Sequence, residues 1–237
     1  RPVRSATEVA ALGVPDPERD LGYVMDAIRL IRHELAGRVP LIGFSGSPWT
    51  LATYMVEGQG SRDFARIKSM LYNEPSAVRQ LLRVLSESVS IYLTAQAQAG
   101  AQALMIFDTW GGVLGHAEYR HFSLDPMEQI VEYLRSDPVA SQLPLIVFTK
   151  GGGQWLARIA AIGCDALGCD WTTSLREARR QVQDQVALQG NLDPAILYAS
   201  PERIRSGVAD VLEDFGPGPG HIFNLGHGVT PGVDPDH

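Results

Sequence analysis

Six apolar runs in this chain are each followed by residues whose side chains could do chemistry. After residues 39–44 come Ser45, Gly46, Ser47, Pro48, Trp49 and Thr50, and after residues 103–107 come Asp108, Thr109, Trp110, Gly111 and Gly112. Residues 143–148 are followed by Thr149, Lys150, Gly151, Gly152 and Gly153, while the later runs end in Asp170-Trp171, Gly190-Asn191 and Gly226-His227-Gly228. In a closed α/β barrel the reacting groups collect at the carboxyl ends of the strands, so these segments read as one rim. Trp49 and Trp110, with Trp171 opposite, would form walls for a large flat ligand. Gly111, Gly112, Gly151, Gly152 and Gly153 remove side chains where such a ligand comes close to the backbone.

Individual residues leave two readings open. His227 between its glycines suits a hydrogen bond to a ligand carboxylate, although a lone His is often structural. Tyr54, one or two turns beyond the first run, either points its hydroxyl into a cavity or packs as a helix aromatic. Asp108 is either a general base or the cap of the next element. Lys150 stands where barrel aldolases place a Schiff-base amine.

The elements that must position these groups follow from the pattern. The runs 39–44, 103–107, 143–148, 165–169, 185–189 and 221–225 are near-continuously apolar, as in the strands of a parallel sheet covered by helices. Between them, residues 18–36 put Leu21, Val24, Met25, Ile28 and Leu35 on one helical face, with Gly37 at C′. Residues 75–99 form the longest helix, striped by Val78, Leu82, Leu85, Val89 and Tyr92 and stopped by Gly100. Asp125-Pro126 with Glu128 predicts a helix start, as do Ser174 with Glu177 and Ser200-Pro201.

Composition narrows the function. The chain has 237 residues, 45% hydrophobic, with 20 Lys and Arg against 27 Asp and Glu, for a formal charge of -7. That describes one globular domain over residues 1–237, large enough to need neither disulfide nor structural metal. The acidic balance, without a basic stripe, argues against nucleic acid and for a small-molecule function. Cys164 and Cys169 form no CxxC pair and have no matching His pair, so zinc and redox readings are weak. No apolar run is long enough to span a bilayer, and no leader opens the chain, which reads as cytoplasmic. The opening at Arg1 without Met, and the stop at Asp236-His237 without a closing helix, suggest a fragment.

Residues 43–58, reading GFSGSPWTLATYMVEG, resemble the uroporphyrinogen decarboxylase family. The resemblance continues through GAQALMIFDTWGG at 100–112, FTKGGG at 148–153, CDALG at 164–168 with Asp170-Trp171, ALQGN at 187–191 and FNLGHG at 223–228. It implies a (β/α)8 TIM barrel, of which this chain supplies about strands three to eight. It also implies loss of carbon dioxide from the four acetates of uroporphyrinogen III to give coproporphyrinogen III, without metal or organic cofactor, in a cytoplasmic homodimer. By position, Tyr54, Thr109 and His227 match substrate-binding residues of the family.

The chain departs from the family at both ends. The family's arginine motif and its strand ending in Phe-Ser-Asp are not found here, so no catalytic residue of the resemblance lies within residues 1–237, and the last helix is also missing. A polyanionic tetrapyrrole needs arginine forks, and this rim offers mainly Lys150 and His227. We therefore expect the chain alone to be inactive and, with two open sheet edges, poorly stable. Three alternatives are a Schiff-base aldolase using Lys150, a zinc-dependent cobamide or thiol methyltransferase of the same superfamily, and a noncatalytic binding module.

Overall fold

The computed structural model describes residues 1–236, which fall into two compact units divided in sequence between Leu145 and Ile146. The first unit runs α1 (Ala6–Ala10), α2 (Pro17–Leu35), β1 (Ile42–Gly46), α3 (Pro48–Glu57), α4 (Ala65–Asn73), α5 (Pro75–Gln98), β2 (Ala103–Asp108), α6 (His116–Tyr119) and α7 (Asp125–Ser136). Then follow β3 (Leu145–Thr149), α8 (Leu156–Ala160), β4 (Ala166–Gly168), α9 (Leu175–Val182), β5 (Ala187–Gln189), α10 (Pro201–Phe215) and β6 (His221–Ile222). β1 pairs in parallel with β2, and β3 to β6 pair in parallel in turn. The sheet order is the chain order. Parallel strands alternating with helices in this order make the TIM-barrel-like α/β fold expected from the sequence. Among the described residues, no helix is long and apolar enough to cross a membrane.

The apolar runs locate every strand but not its ends. Pro40 and Pro144 have no backbone N–H to give to a ladder, and the strands begin after them, at Ile42 and Leu145. The run 221–225 shrinks to two paired residues, with Leu225 joined to Leu192 by a separate bridge.

In the first unit α5 is the main packing element, burying Val78, Leu81, Leu82, Leu85, Val89 and Leu93. Its Gln96 also serves β1: the side-chain amide donates to the Phe44 carbonyl and accepts from the Phe44 N–H, both at 2.9 Å. One amide thus satisfies both backbone groups of a strand residue that would otherwise need a ladder partner. On α2 the buried face is Met25 and Ile28, with Val24 packed alongside, as the periodicity predicts. The left-handed turn after α2 starts at Ala36 (φ 47°), one residue before the expected Gly37.

One helix start is corrected. Asp125 is the first residue of α7 but not the N-cap of a free helix start, because residues 116–136 are helical throughout, passing through a π turn at Arg120–Leu124. The Asp125 N–H reaches back to the Arg120 carbonyl, and the widened turn immediately precedes Pro126, whose ring and missing N–H an α turn would not accommodate. The start signals at Ser174 and Ser200 do mark helix N-termini.

Candidate active site

In the first unit the groups gather where β1 and β2 end. Ser47 caps α3, accepting from the Thr50 N–H at 3.0 Å, and its own hydroxyl donates to Asp108 at 2.6 Å. Ser123, from the π turn, donates to the other Asp108 oxygen at 2.7 Å, and Thr50 adds a longer contact at 3.4 Å. Asp108 is 0% exposed. Neither reading from sequence describes it: both oxygens are turned inward to hydroxyls and no side chain caps the turn that follows, so Asp108 is an anchor instead of an exposed base or a cap. A buried carboxylate with several charge-assisted bonds is a strong tie between the segments that supply them.

Trp49 corrects the expected aromatic wall. It is 0% exposed and its indole N–H donates to the Trp110 carbonyl at 3.0 Å, so it supports Trp110 from beneath instead of facing a ligand. Trp110 itself is half-buried and packs against Phe64 at 4.9 Å and edge-on to Tyr54 at 6.4 Å. Tyr54, on α3, is 45% exposed, so the buried-aromatic alternative is not what the fold adopts. Thr109 is half-buried between Asp108 and Trp110 in the chain. The expected residues Tyr54 and Trp110 are thus brought together, with Thr109 beside them in sequence.

In the second unit the strand ends converge on Asp170, which is 2% exposed. Its carboxylate accepts from the Gly151 N–H after β3, from the Thr172 N–H at 2.9 Å and from the Thr172 hydroxyl at 2.5 Å. Its backbone carbonyl accepts from the side-chain amide of Asn191 at 2.8 Å, and the same amide reaches the Thr173 carbonyl at 2.5 Å. Two glycines make these approaches possible. A Cβ on Gly226 would lie 2.6 Å from the Trp171 nitrogen, and one on Gly190 would lie 2.5 Å from the Cys169 carbonyl oxygen. Either contact is closer than real Cβ atoms come, so the glycines after β5 and β6 let those segments press against the end of β4. Gly152 and Gly153 are explained by loop closure in the same way, since a Cβ on either would meet Thr149 or Thr173 at 2.8 Å.

On this platform stand Lys150, Trp171 and His227. The Lys150 ammonium lies 5.5 Å from the Trp171 ring centroid, a cation–π arrangement. His227 is exposed and meets Phe148 edge-on at 6.2 Å and Trp171 at 6.4 Å. Partial desolvation lowers its pKa from the ordinary 6.5, Lys150 lowers it further, and Asp170 opposes both. A cation, an imidazole and an indole face are the groups that would take a carboxylate attached to a flat ring. Cys169 contributes no nucleophile, because burial first and the neighbouring Asp170 second push its thiol up to about 12. Among the described residues, no three His, Cys, Asp or Glu side chains come together as metal ligands would.

Sequence reasoning missed Asp170 and Asn191 as organising residues, and Ser47, Thr50 and Ser123 as the partners of Asp108. The only signal was a polar residue directly after an apolar run, which an ordinary turn also supplies.

A family model described as Uroporphyrinogen decarboxylase (URO-D) matches residues 1–237. The uroporphyrinogen decarboxylase of Thioalkalivibrio sulfidiphilus is 63% identical over 236 residues, covering 100% of this chain and 67% of that protein. That of Alkalilimnicola ehrlichii is 61% identical over 236 residues, covering 100% of this chain and 65% of its own length. The chain therefore spans about two thirds of the length of these relatives. Among solved structures, a methyltransferase from Methanosarcina mazei superposes with a TM-score of 0.79 at 19% identity, covering 95% of this chain and 65% of that one. At that identity the likeness speaks for the fold alone.

Proposed function

The chain belongs to the uroporphyrinogen decarboxylase family, and from that premise we propose that the protein carrying it converts uroporphyrinogen III to coproporphyrinogen III by removing carbon dioxide from four acetate side chains. The match along the whole chain is the observation that carries this reading. The strand-end geometry supports it, since exposed Tyr54, half-buried Thr109 and exposed His227 follow strands β1, β2 and β6.

The substrate is its own electron sink. Protonation of a pyrrole carbon gives a cationic ring that accepts the electron pair released as an adjacent acetate loses carbon dioxide; protonation of the resulting exocyclic methylene and loss of the proton first added to the ring then leave a methyl group on the restored pyrrole. The protein has to hold carboxylates, exclude water and stabilise the developing positive ring. Within this chain Tyr54 and Thr109 would position an acetate through their hydroxyls. His227 would hold another carboxylate of the substrate, aided by the ammonium of Lys150. The aspartate and arginines that the family uses belong to the part of the relatives beyond the matched two thirds. We further propose that the protein works as a cytoplasmic homodimer.

The test is anaerobic incubation of the protein, at its relatives' length, with uroporphyrinogen III, followed by chromatography of the oxidised products. Coproporphyrin III is expected, and unchanged uroporphyrin would overturn the proposal. The 237-residue chain assayed in parallel is expected to give no product, and sedimentation of the longer protein is expected to give a dimer mass.

A further inference from the structure

Asp170 is buried and without an assigned part in the reaction, yet every strand end of the second unit refers to it. The β3 loop is held by its carboxylate through the Gly151 N–H, directly after Lys150. The β4 loop is held through both donors of Thr172, directly after Trp171. The segment after β5 is held through Asn191 to the Asp170 carbonyl. The segment after β6 packs Gly226, directly before His227, onto the Asp170–Trp171 backbone, where a Cβ would stand 3.2 Å from the Asp170 Cα. Three of the four ties bring in a residue next to Lys150, Trp171 or His227, the exception being Asn191.

We propose that Asp170 is a positioning residue for substrate binding, which fixes Lys150 and Trp171 through the hydrogen bonds of its carboxylate and His227 through the packing of Gly226 on its backbone. This rests on the decarboxylase reading for the identity of the substrate, but the positioning of His227 can be read independently. With its oxygens committed to Gly151 and Thr172, the carboxylate is turned away from any ligand. Its influence has to pass through the loops it ties. A residue that holds carboxylate-binding groups in place should act on ground-state and transition-state binding alike, raising KM more than it lowers kcat.

The experiment uses the relatives'-length protein and the variants Asp170→Asn and Thr172→Val. Asn keeps one acceptor oxygen but turns a donor toward a donor, and Val removes only the hydroxyl bond from a residue that is otherwise exposed. We expect KM for uroporphyrinogen III to rise about tenfold in D170N and about threefold in T172V, with kcat within about threefold of wild type, as displaced binding groups require. The His227 ring resonance, assigned with an H227Q variant, is expected to move in both. An unchanged KM with an unmoved His227 resonance in T172V overturns the proposal, as does a fall in kcat alone. If D170N does not fold, T172V decides. A wild-type protein that leaves uroporphyrinogen untouched overturns the decarboxylase reading instead. In that case a shifted His227 resonance still supports the role of Asp170, and an unshifted one overturns it.

Discussion

The two units each carry a buried aspartate at their strand ends, but the partners differ in kind. Asp108 is met by the side-chain hydroxyls of Ser47, Thr50 and Ser123, whereas Asp170 is met by backbone N–H groups and the hydroxyl of Thr172. A hydroxyl rotates to suit its acceptor and ties an element without dictating where a neighbouring loop points. A backbone N–H has no such freedom, so the carboxylate that accepts it dictates the path of the loop. The surfaces above them differ accordingly: Tyr54 and Trp110 stand on α3 and on supporting aromatic packing, while Lys150, Trp171 and His227 stand on loops. The first unit should therefore answer mutation through stability, and the second through binding.

The largest effect should come from Asp108→Ala, which strands three buried hydroxyls and a cavity and is expected to cost about 5 kcal/mol, read from urea denaturation. Asp108→Asn, which keeps the volume and one acceptor oxygen, should cost clearly less. If D108A loses activity at full stability, Asp108 touches the chemistry and the comparison breaks. Next comes the tryptophan pair. Trp49→Ala removes a fully buried ring and should destabilise by about 3–5 kcal/mol. Trp171 is 37% exposed, so Trp171→Ala should leave stability within about 1 kcal/mol while raising KM for the substrate. Equal stability losses for the two would contradict the assignment of wall and support.

A smaller effect lies in the ionisation of His227. Its folded pKa is lowered below the ordinary 6.5, chiefly by desolvation, so the folded protein favours the neutral ring. The stability from this preference is complete above the unfolded value and declines as the pH falls through the folded one. NMR titration should accordingly place its midpoint below that of a His in an unfolded peptide, and a midpoint at or above that value contradicts the environment described. The smallest effect belongs to Ser174, whose hydroxyl caps α9 and meets Asp214. Ser174→Ala should cost about 1 kcal/mol and leave KM unchanged, a useful control at a helix cap.

Much of this was legible in the residues before the structure. The six apolar runs marked the strands, although only β3 and β4 are buried along their whole length while β1 leaves Ile42 and Phe44 exposed, and Pro40 and Pro144 account for where the starts moved. Tyr54 and His227 stood out by position and proved exposed. What was not legible came from contacts distant in sequence. Asp108 reads on paper as a base or a cap, and only the arrival of Ser47 from 61 positions away and Ser123 from 15 makes it an anchor. Trp49 sits in a segment where wall and support share one spacing. Asp125-Pro126 carries the marks of a helix start, and nothing local announces that a π turn will lead the chain through it.

The proposal that most needs testing is that the protein carrying this chain removes carbon dioxide from the four acetates of uroporphyrinogen III. Counting carbon dioxide released per uroporphyrinogen III consumed, by the protein at its relatives' length and with no metal or organic cofactor added, tests it most directly. Four are expected at completion, with partly decarboxylated porphyrinogens passing in between; no release above the uncatalysed background would contradict the proposal.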